Sequence, residues 1–256
     1  MDLRIKGKRA LVLGASSGLG MAIARSLAAE GVVVFAAARS HEKINAWADG
    51  IENVHAVQLD LGDISQVDAV VDMLLKNGGV DIIVNNGGGP PPGTAQTADR
   101  AAWITHFEAM AANLFHLNKQ LLPEMKARGW GRIISITSSG VEQPIPNLAL
   151  SNGIRSAVVG WSKTLANEVA ADGITVNVVM PGRVHTNRVD ELDAAAAKRT
   201  NSSVEEVAIK SRATIPTGRY GKPEEFADVV TFLASGRASY VTGSKIRIDG
   251  GSIKSI

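Results

Sequence analysis

The chain of 256 residues contains no cysteine, which excludes disulfides, thiolate metal sites and a cysteine nucleophile. Aromatic residues make up only 4%, and two of them are tyrosines, Tyr220 and Tyr240. Neither sign of charge dominates: 27 Lys and Arg against 25 Asp and Glu give a net +2, scattered along the chain. A stripe of nucleic-acid-binding charge is therefore not expected. Long apolar runs are missing too; the most apolar stretch, "GVVVFAAA" at 31–38, is far too short to span a membrane. The N-terminus places positive charges before an apolar stretch, loosely like a signal peptide. That stretch is only strand-length and runs straight into a glycine turn, so a cytoplasmic protein is expected.

What is present suits a soluble globular protein with a sizeable core: 45% hydrophobic and 20% charged residues, in a length that fits one large domain. Short runs rich in Val, Ile and Leu predict seven strands at 9–13, 32–37, 55–59, 82–85, 133–136, 175–179 and 246–248. They are nearly continuous rather than alternating, as expected of strands covered on both faces. Helical periodicity falls between them at 18–30, 64–76, 101–128, 152–171 and 223–235. Gly31 reads as a C′ glycine, Asp63 as a cap, and Pro223 as a first-turn proline. This alternation predicts an α/β fold: one doubly wound, seven-stranded parallel sheet with helices on both faces. Two excursions read as irregular, "NNGGGPPPGTAQ" at 85–96 and the polar 185–223. Both follow strand C-termini, the edge where ligands bind in such sheets.

The stretch "LVLGASSGLG" runs from a strand through Gly14, Ser16, Ser17 and Gly18 into a helix that begins with Leu19 and Gly20. Small residues let such a turn approach a pyrophosphate, and the helix N-terminus offers free N–H groups and partial positive charge. At the end of the second strand an acidic side chain would hold a ribose 2′-hydroxyl and repel a 2′-phosphate. Here "AAARS" provides Arg39 and Ser40, a cationic fork and a hydroxyl suited to a 2′-phosphate, so NADP(H) is favoured over NAD(H).

The spacing Gly-x-x-x-Gly-x-Gly resembles that of the short-chain dehydrogenase/reductase family, and the resemblance runs almost end to end. Its further carriers are Asp60-Leu61, "NNGG" at 85–88, Ser138, "PGRVHT" at 181–186 and "SYVTGSKIRIDGG" at 239–251. The 3-oxoacyl carrier-protein reductases are the nearest well-known branch. Leu13 departs mildly, standing where such proteins usually carry Thr. The resemblance implies a single Rossmann domain over 1–256 and a homotetramer. It also implies a nicotinamide cofactor with Asp60 and Leu61 at the adenine, Asn86 and Gly88 along the ribose, and Val184 and Thr186 at the carboxamide.

The same resemblance implies a catalytic tetrad of Asn, Ser, Tyr and Lys, of which only Ser138 matches. Met110 stands at the Asn position, Ser151 at Tyr and Arg155 at Lys. Ser151 and Arg155, four apart, share one helix face. A positioned general acid contributes roughly 10²–10⁴ in rate, or about 3–5 kcal/mol, and a serine hydroxyl is a much weaker acid than tyrosine. Arg155 stays charged and can grip ribose hydroxyls or a developing alkoxide. Other donors remain open: Tyr220, His185, Glu142, or a water chain held by Ser138, Ser151 and Arg155. Arg183 is read as able to meet an anionic substrate, Asn113 as a partial stand-in for the missing Asn, and Tyr240 as packing.

Two functions follow from these residues. The first is an NADP(H)-dependent oxidoreductase of a small carbonyl or alcohol substrate, with 187–222 as a substrate lid. In it Ser138 holds the substrate oxygen, Ser151 polarises or relays, and Arg155 grips the cofactor. The second is a non-catalytic NADP(H)-binding sensor or assembly protein that has lost its acid. No metal site is read in the chain.

Overall fold

The computed structural model describes all 256 residues. The elements run β1 (Arg9–Leu13), α1 (Gly18–Ala29), β2 (Val33–Ala38), α2 (His41–Ala48), β3 (Val54–Gln58), α3 (Ile64–Lys76), β4 (Ile82–Asn85) and α4 (Arg100–Phe107). They continue with α5 (Asn113–Ala127), β5 (Gly131–Ile136), α6 (Ala149–Val169), β6 (Ile174–Pro181), α7 (Asn187–Thr200), α8 (Val204–Ala213), α9 (Pro223–Leu233) and β7 (Lys245–Ile248). The strands form one seven-stranded parallel sheet in the order β3-β2-β1-β4-β5-β6-β7. The order reverses between β1 and β4. The chain leaves β1 for one face of the sheet and β4 for the other, and at such a switch point an open α/β sheet accepts a ligand.

Alternate side chains of each strand feed two separate cores. Val12 and Val34 point to the face covered by α1 and α9, packing with Ile23, Leu27, Phe226 and Val230. Leu11, Ile83 and Ile133 point to the face covered by α3, α5 and α6, with Val71, Leu117, Leu121 and Val169. β4 and β5 are buried along their whole length, whereas the edge strands β3 and β7 are only partly covered. Continuous apolar composition holds for the centre of the sheet and fails at its edges. No helix is long and apolar enough to cross a membrane.

The expected caps form. The Asp63 side chain accepts from the Ser65 amide, Gly31 takes φ +77°, and Pro223 opens α9. Three helices depart from the sequence reading. α2 was not expected, and α7 and α8 occupy the polar stretch that reads as irregular. The single helix expected at 101–128 is interrupted by a π-helical turn over Glu108–Ala112, which separates α4 from α5. Such turns widen the helix by one residue and reorient the side chains that follow. α6 begins at Ala149, three residues before the expected start, and therefore includes Ser151 in its first turn.

Phe226 is the largest apolar side chain buried completely, and it joins α9 to the α1 face. Phe226→Ala should lower unfolding free energy by about 3–5 kcal/mol in urea titration with the far-UV spectrum retained. A loss below about 1 kcal/mol would mean that this core closes over the gap.

Candidate active site

The β1–α1 turn is built on a contact that only glycine permits. A Cβ on Gly20 would lie 2.2 Å from the Gly14 carbonyl oxygen, so strand end and helix start touch backbone to backbone. Gly14 and Gly18 take φ values of +63° and +55°, which disfavour any side chain. The Asn86 amide, just after β4, donates to the carbonyls of Leu13 at 3.1 Å and Gly14 at 3.4 Å, bracing the turn from across the switch point. Trp47 of α2 donates its indole N–H to the Ala15 carbonyl at 3.0 Å. Ser17 caps α1 without a side-chain bond, and no acidic residue lies in the first turn. The N–H groups of that turn are thus left to an external acceptor. Thr186 lies over the turn, its methyl 3.4 Å from where a Cβ on Gly18 would be. Ser16 lies within the turn, Leu19 lies at the start of α1, and Val184 is buried in the core. This cradle fits a dinucleotide diphosphate.

Along β2 and β3 the nucleotide track continues. Ala38 is buried at the end of β2, Arg39 beside it is exposed, and Ser40 caps α2 with its hydroxyl unused. Asp60 accepts from the Gly62 amide at 2.9 Å, which fixes the loop after β3. Asn113 donates its amide to the Leu61 carbonyl at 2.8 Å. It therefore anchors that loop. Asn86 likewise spends its amide on the glycine turn, while Asn85, Gly87 and Gly88 line the pocket beyond it.

Ser138, Ser151 and Arg155 gather at the carboxyl end of β5. The Ser138 hydroxyl oxygen accepts from the Gly140 amide at 3.0 Å, which leaves its proton free to donate. Ser151 accepts from Arg155 Nε at 3.3 Å and is in the same condition. Arg155 also donates Nη1 to the Ile136 carbonyl at 3.0 Å, leaving three N–H groups of its fork unassigned. Burial, and then the nearby charge of Arg188, pull its pKa down to about 10, so it is still a cation at neutral pH. Arg155 faces a pocket of about 20 Å³ with Met110, Leu114, Ile136, Thr137 and Val158, space for roughly one water. Thr137 Oγ1 is buried there without a protein partner. A wider cavity of about 160 Å³, under Arg183, Thr217, Arg219 and Lys222, lies on the far side of β6 and contains none of the three.

A family profile described as enoyl-(acyl carrier protein) reductase matches residues 14–252. The 3-oxoacyl-[acyl-carrier-protein] reductase FabG of Escherichia coli is 35% identical over 253 residues, covering 97% of this chain and 98% of that protein. The chain belongs to the short-chain dehydrogenase/reductase family. The L-sorbose reductase of Gluconobacter frateurii, solved with NADPH and L-sorbose, superposes over the full length of both chains with a TM-score of 0.94 at 33% identity. The actinorhodin polyketide ketoreductase, solved with NADPH, does so over 97% of this chain and 98% of its own with a TM-score of 0.91 at 32% identity. Fold and reaction class follow from this membership: a Rossmann-type oxidoreductase of carbonyl and hydroxyl groups.

Most residues of this short-chain reductase that offered another proton donor are engaged elsewhere. The Tyr220 hydroxyl donates to Asp193 Oδ2 at 2.7 Å, and burial, with that bond adding to it, raises its pKa, the wrong direction for a donor. Arg183 pairs with the other oxygen of Asp193 and so is not free for a substrate anion. His185 is exposed and lies 3.4 Å from Asp190 of α7. Glu142 is ion-paired with Lys245 of β7. Tyr240 is fully exposed, so the packing role expected for it is not seen in the isolated chain.

Sequence reasoning missed Thr137 and Arg188. Ser138, two after the Arg155-bound Ile136 carbonyl, could have pointed to Thr137, but the approach of Arg188 to Arg155 is purely tertiary.

Gly20→Ala forces the Gly14 carbonyl out of the turn, so NADPH affinity should fall at least ~100-fold, about 2.7 kcal/mol. Asn86→Ala, which frees two carbonyls, should cost about 1–2 kcal/mol, near tenfold. Both are read by fluorescence titration, and unchanged affinity in a folded Gly20→Ala protein would contradict the cradle.

Proposed function

We propose that Ser138, Ser151 and Arg155 form the reacting surface of an NADP(H)-dependent oxidoreductase of the 3-oxoacyl-reductase type. The observation that carries this reading is the state of the two hydroxyls. Each accepts a hydrogen bond from behind, Ser138 from the Gly140 amide and Ser151 from Arg155, and so each presents a proton forward. NADP(H), when bound, supplies or takes up the hydride. Gly14, Ser16, Ser17, Gly18, Leu19 and Gly20 would hold its diphosphate, and Arg39 and Ser40 its 2′-phosphate. Asp60, Leu61, Asn86, Gly88, Val184 and Thr186 would follow the rest of its length.

Reduction needs one proton at the substrate oxygen for every hydride at carbon. Ser138 donates a hydrogen bond to that oxygen. Ser151, polarised by Arg155, offers the second. Arg155 adds fixed positive charge where alkoxide develops, and such preorganised charge is worth most in a site shielded from water. Neither serine is acidic enough to complete the transfer alone. The proton comes from water, for which the small pocket beside Thr137 and Arg155 has room. The relatives named above are reductases, which supports turnover over a purely nucleotide-binding role.

The segment 187–222 is read as the substrate lid, in a single domain spanning 1–256. The partner is a small carbonyl or alcohol compound and not a nucleic acid. We place the protein in the cytoplasm as a homotetramer, which sedimentation would test.

Loss of reduced-nicotinamide absorbance on a panel of 3-oxoacyl thioesters, diketones and quinones tests the proposal. Ser138→Ala should lower kcat/KM on the accepted substrate about 10²-fold with NADPH affinity retained. The double variant Ser151→Tyr with Arg155→Lys should raise kcat about tenfold or more, by restoring an acid of lower pKa. A folded double variant with unchanged kcat would show that proton delivery does not limit this enzyme. Turnover indifferent to Ser138→Ala would remove that residue from the reaction.

A further inference from the structure

Resting on that reading, we propose that the substrate carries a carboxylate, received between Arg155 beneath and Arg188 above the mouth of the cleft. Arg188 belongs to the first turn of α7, and one of its terminal nitrogens lies 3.8 Å from where a Cβ on Gly89 would be. It therefore reaches back from the lid over the loop after β4, whose Gly88 lines the Arg155 pocket. The two guanidiniums come close enough for Arg188 to make Arg155 easier to deprotonate.

Two features make this arrangement costly unless an anion joins it. Arg155 is in no ion pair; its bonds go to a serine hydroxyl and a backbone carbonyl. Arg188 stands at the positive end of a fourteen-residue helix, where cations are disfavoured. Its carboxylate contact is Glu191, at 3.2 Å on the solvent side of the same helix and itself 66% exposed in its side chain. Thr137, whose buried hydroxyl has no protein partner, lines the same pocket as Arg155. Local frustration of this kind, left standing in an otherwise consistent fold, marks a place where a ligand completes the structure.

The diphosphate of the dinucleotide is read at the glycine turn of α1, over which Thr186 lies, while Arg188 reaches toward Gly89 instead. The 20 Å³ pocket does not hold a whole substrate. The substrate must sit above it, toward α7, with its anionic end within reach of both arginines. A forked guanidinium matches two carboxylate oxygens, and two forks on one group set its orientation as well as its affinity. Closing α7 over an acid would join the two halves of the site.

The test uses protein saturated with NADP⁺, so that binding is measured without turnover. Pyruvate, acetoacetate and 4-oxopentanoate are each titrated by calorimetry against their methyl esters, with dihydroxyacetone phosphate as the phosphate-bearing comparison. At least one acid should bind tenfold or more tightly than its ester. Arg188→Ala should abolish that preference and Arg188→Lys should keep part of it, both with NADP⁺ affinity within about twofold of the parent. Esters equal to acids throughout would overturn the proposal. So would tighter binding of the phosphate than of every acid, or an Arg188→Ala protein that loses NADP⁺ affinity while its acid-to-ester ratio stays the same. Failure of the parent protein to bind NADP⁺ would instead sink the nucleotide reading beneath it.

Discussion

The whole site depends on one close approach, the Gly14 carbonyl against the α-carbon of Gly20. There is no room for a methyl group between them, and the amide of Asn86 locks the carbonyl in place from across the switch point. Because β1 and β4 are neighbours in the sheet, this single side chain couples the glycine turn to the loop that begins the substrate side. The position of α1, its exposed N–H groups and the walls of the cleft all follow from it. A Rossmann sheet can tolerate many core repackings, but this contact leaves almost no tolerance.

Around that turn the site is built from cations and helix ends, with few acids. Arg39, Arg155 and Arg188 line the track, the first turn of α1 carries no acidic residue, and the one buried carboxylate nearby, Asp193, is spent on Arg183 and Tyr220. Such a field favours an anionic nucleotide and opposes deprotonated products less than a neutral site would. In the proposed function, fixed charge would stabilise the substrate oxygen and hydroxyls polarised from behind would orient it, with solvent as the proton source.

Much of this was legible in the sequence because it is written locally. The central strands are unbroken runs of Val, Ile and Leu, and the glycine turn is fixed by spacing, so both emerge without tertiary information. Ser151 and Arg155 meet because helix geometry joins residues four apart, and the structure joins them by a hydrogen bond. Helices α7 and α8 were not legible. α7 carries "DELDAAAAKR", which is polar or small nearly all round, and its stability comes from docking through Val189 and Ala197. The π-turn at Glu108–Ala112 leaves no compositional mark, because it is a slip in hydrogen-bond register. Arg183 and Arg188 look equivalent in sequence, five residues apart in one polar stretch. Only the fold pairs the first with Asp193 and sends the second over Gly89.

Helix α6 brings Ser151 and Arg155 to the carboxyl end of β5, where Ser138 follows the strand. The central claim is that hydride crosses the cleft between nicotinamide and a carbonyl carbon. Its most direct measurement is mass spectrometry of the alcohol formed from an accepted carbonyl compound when the nicotinamide C4 of NADPH carries deuterium on both faces. One deuterium bonded to the former carbonyl carbon is the result this account predicts. Bound NADPH that delivers no deuterium to any carbonyl compound offered would contradict it.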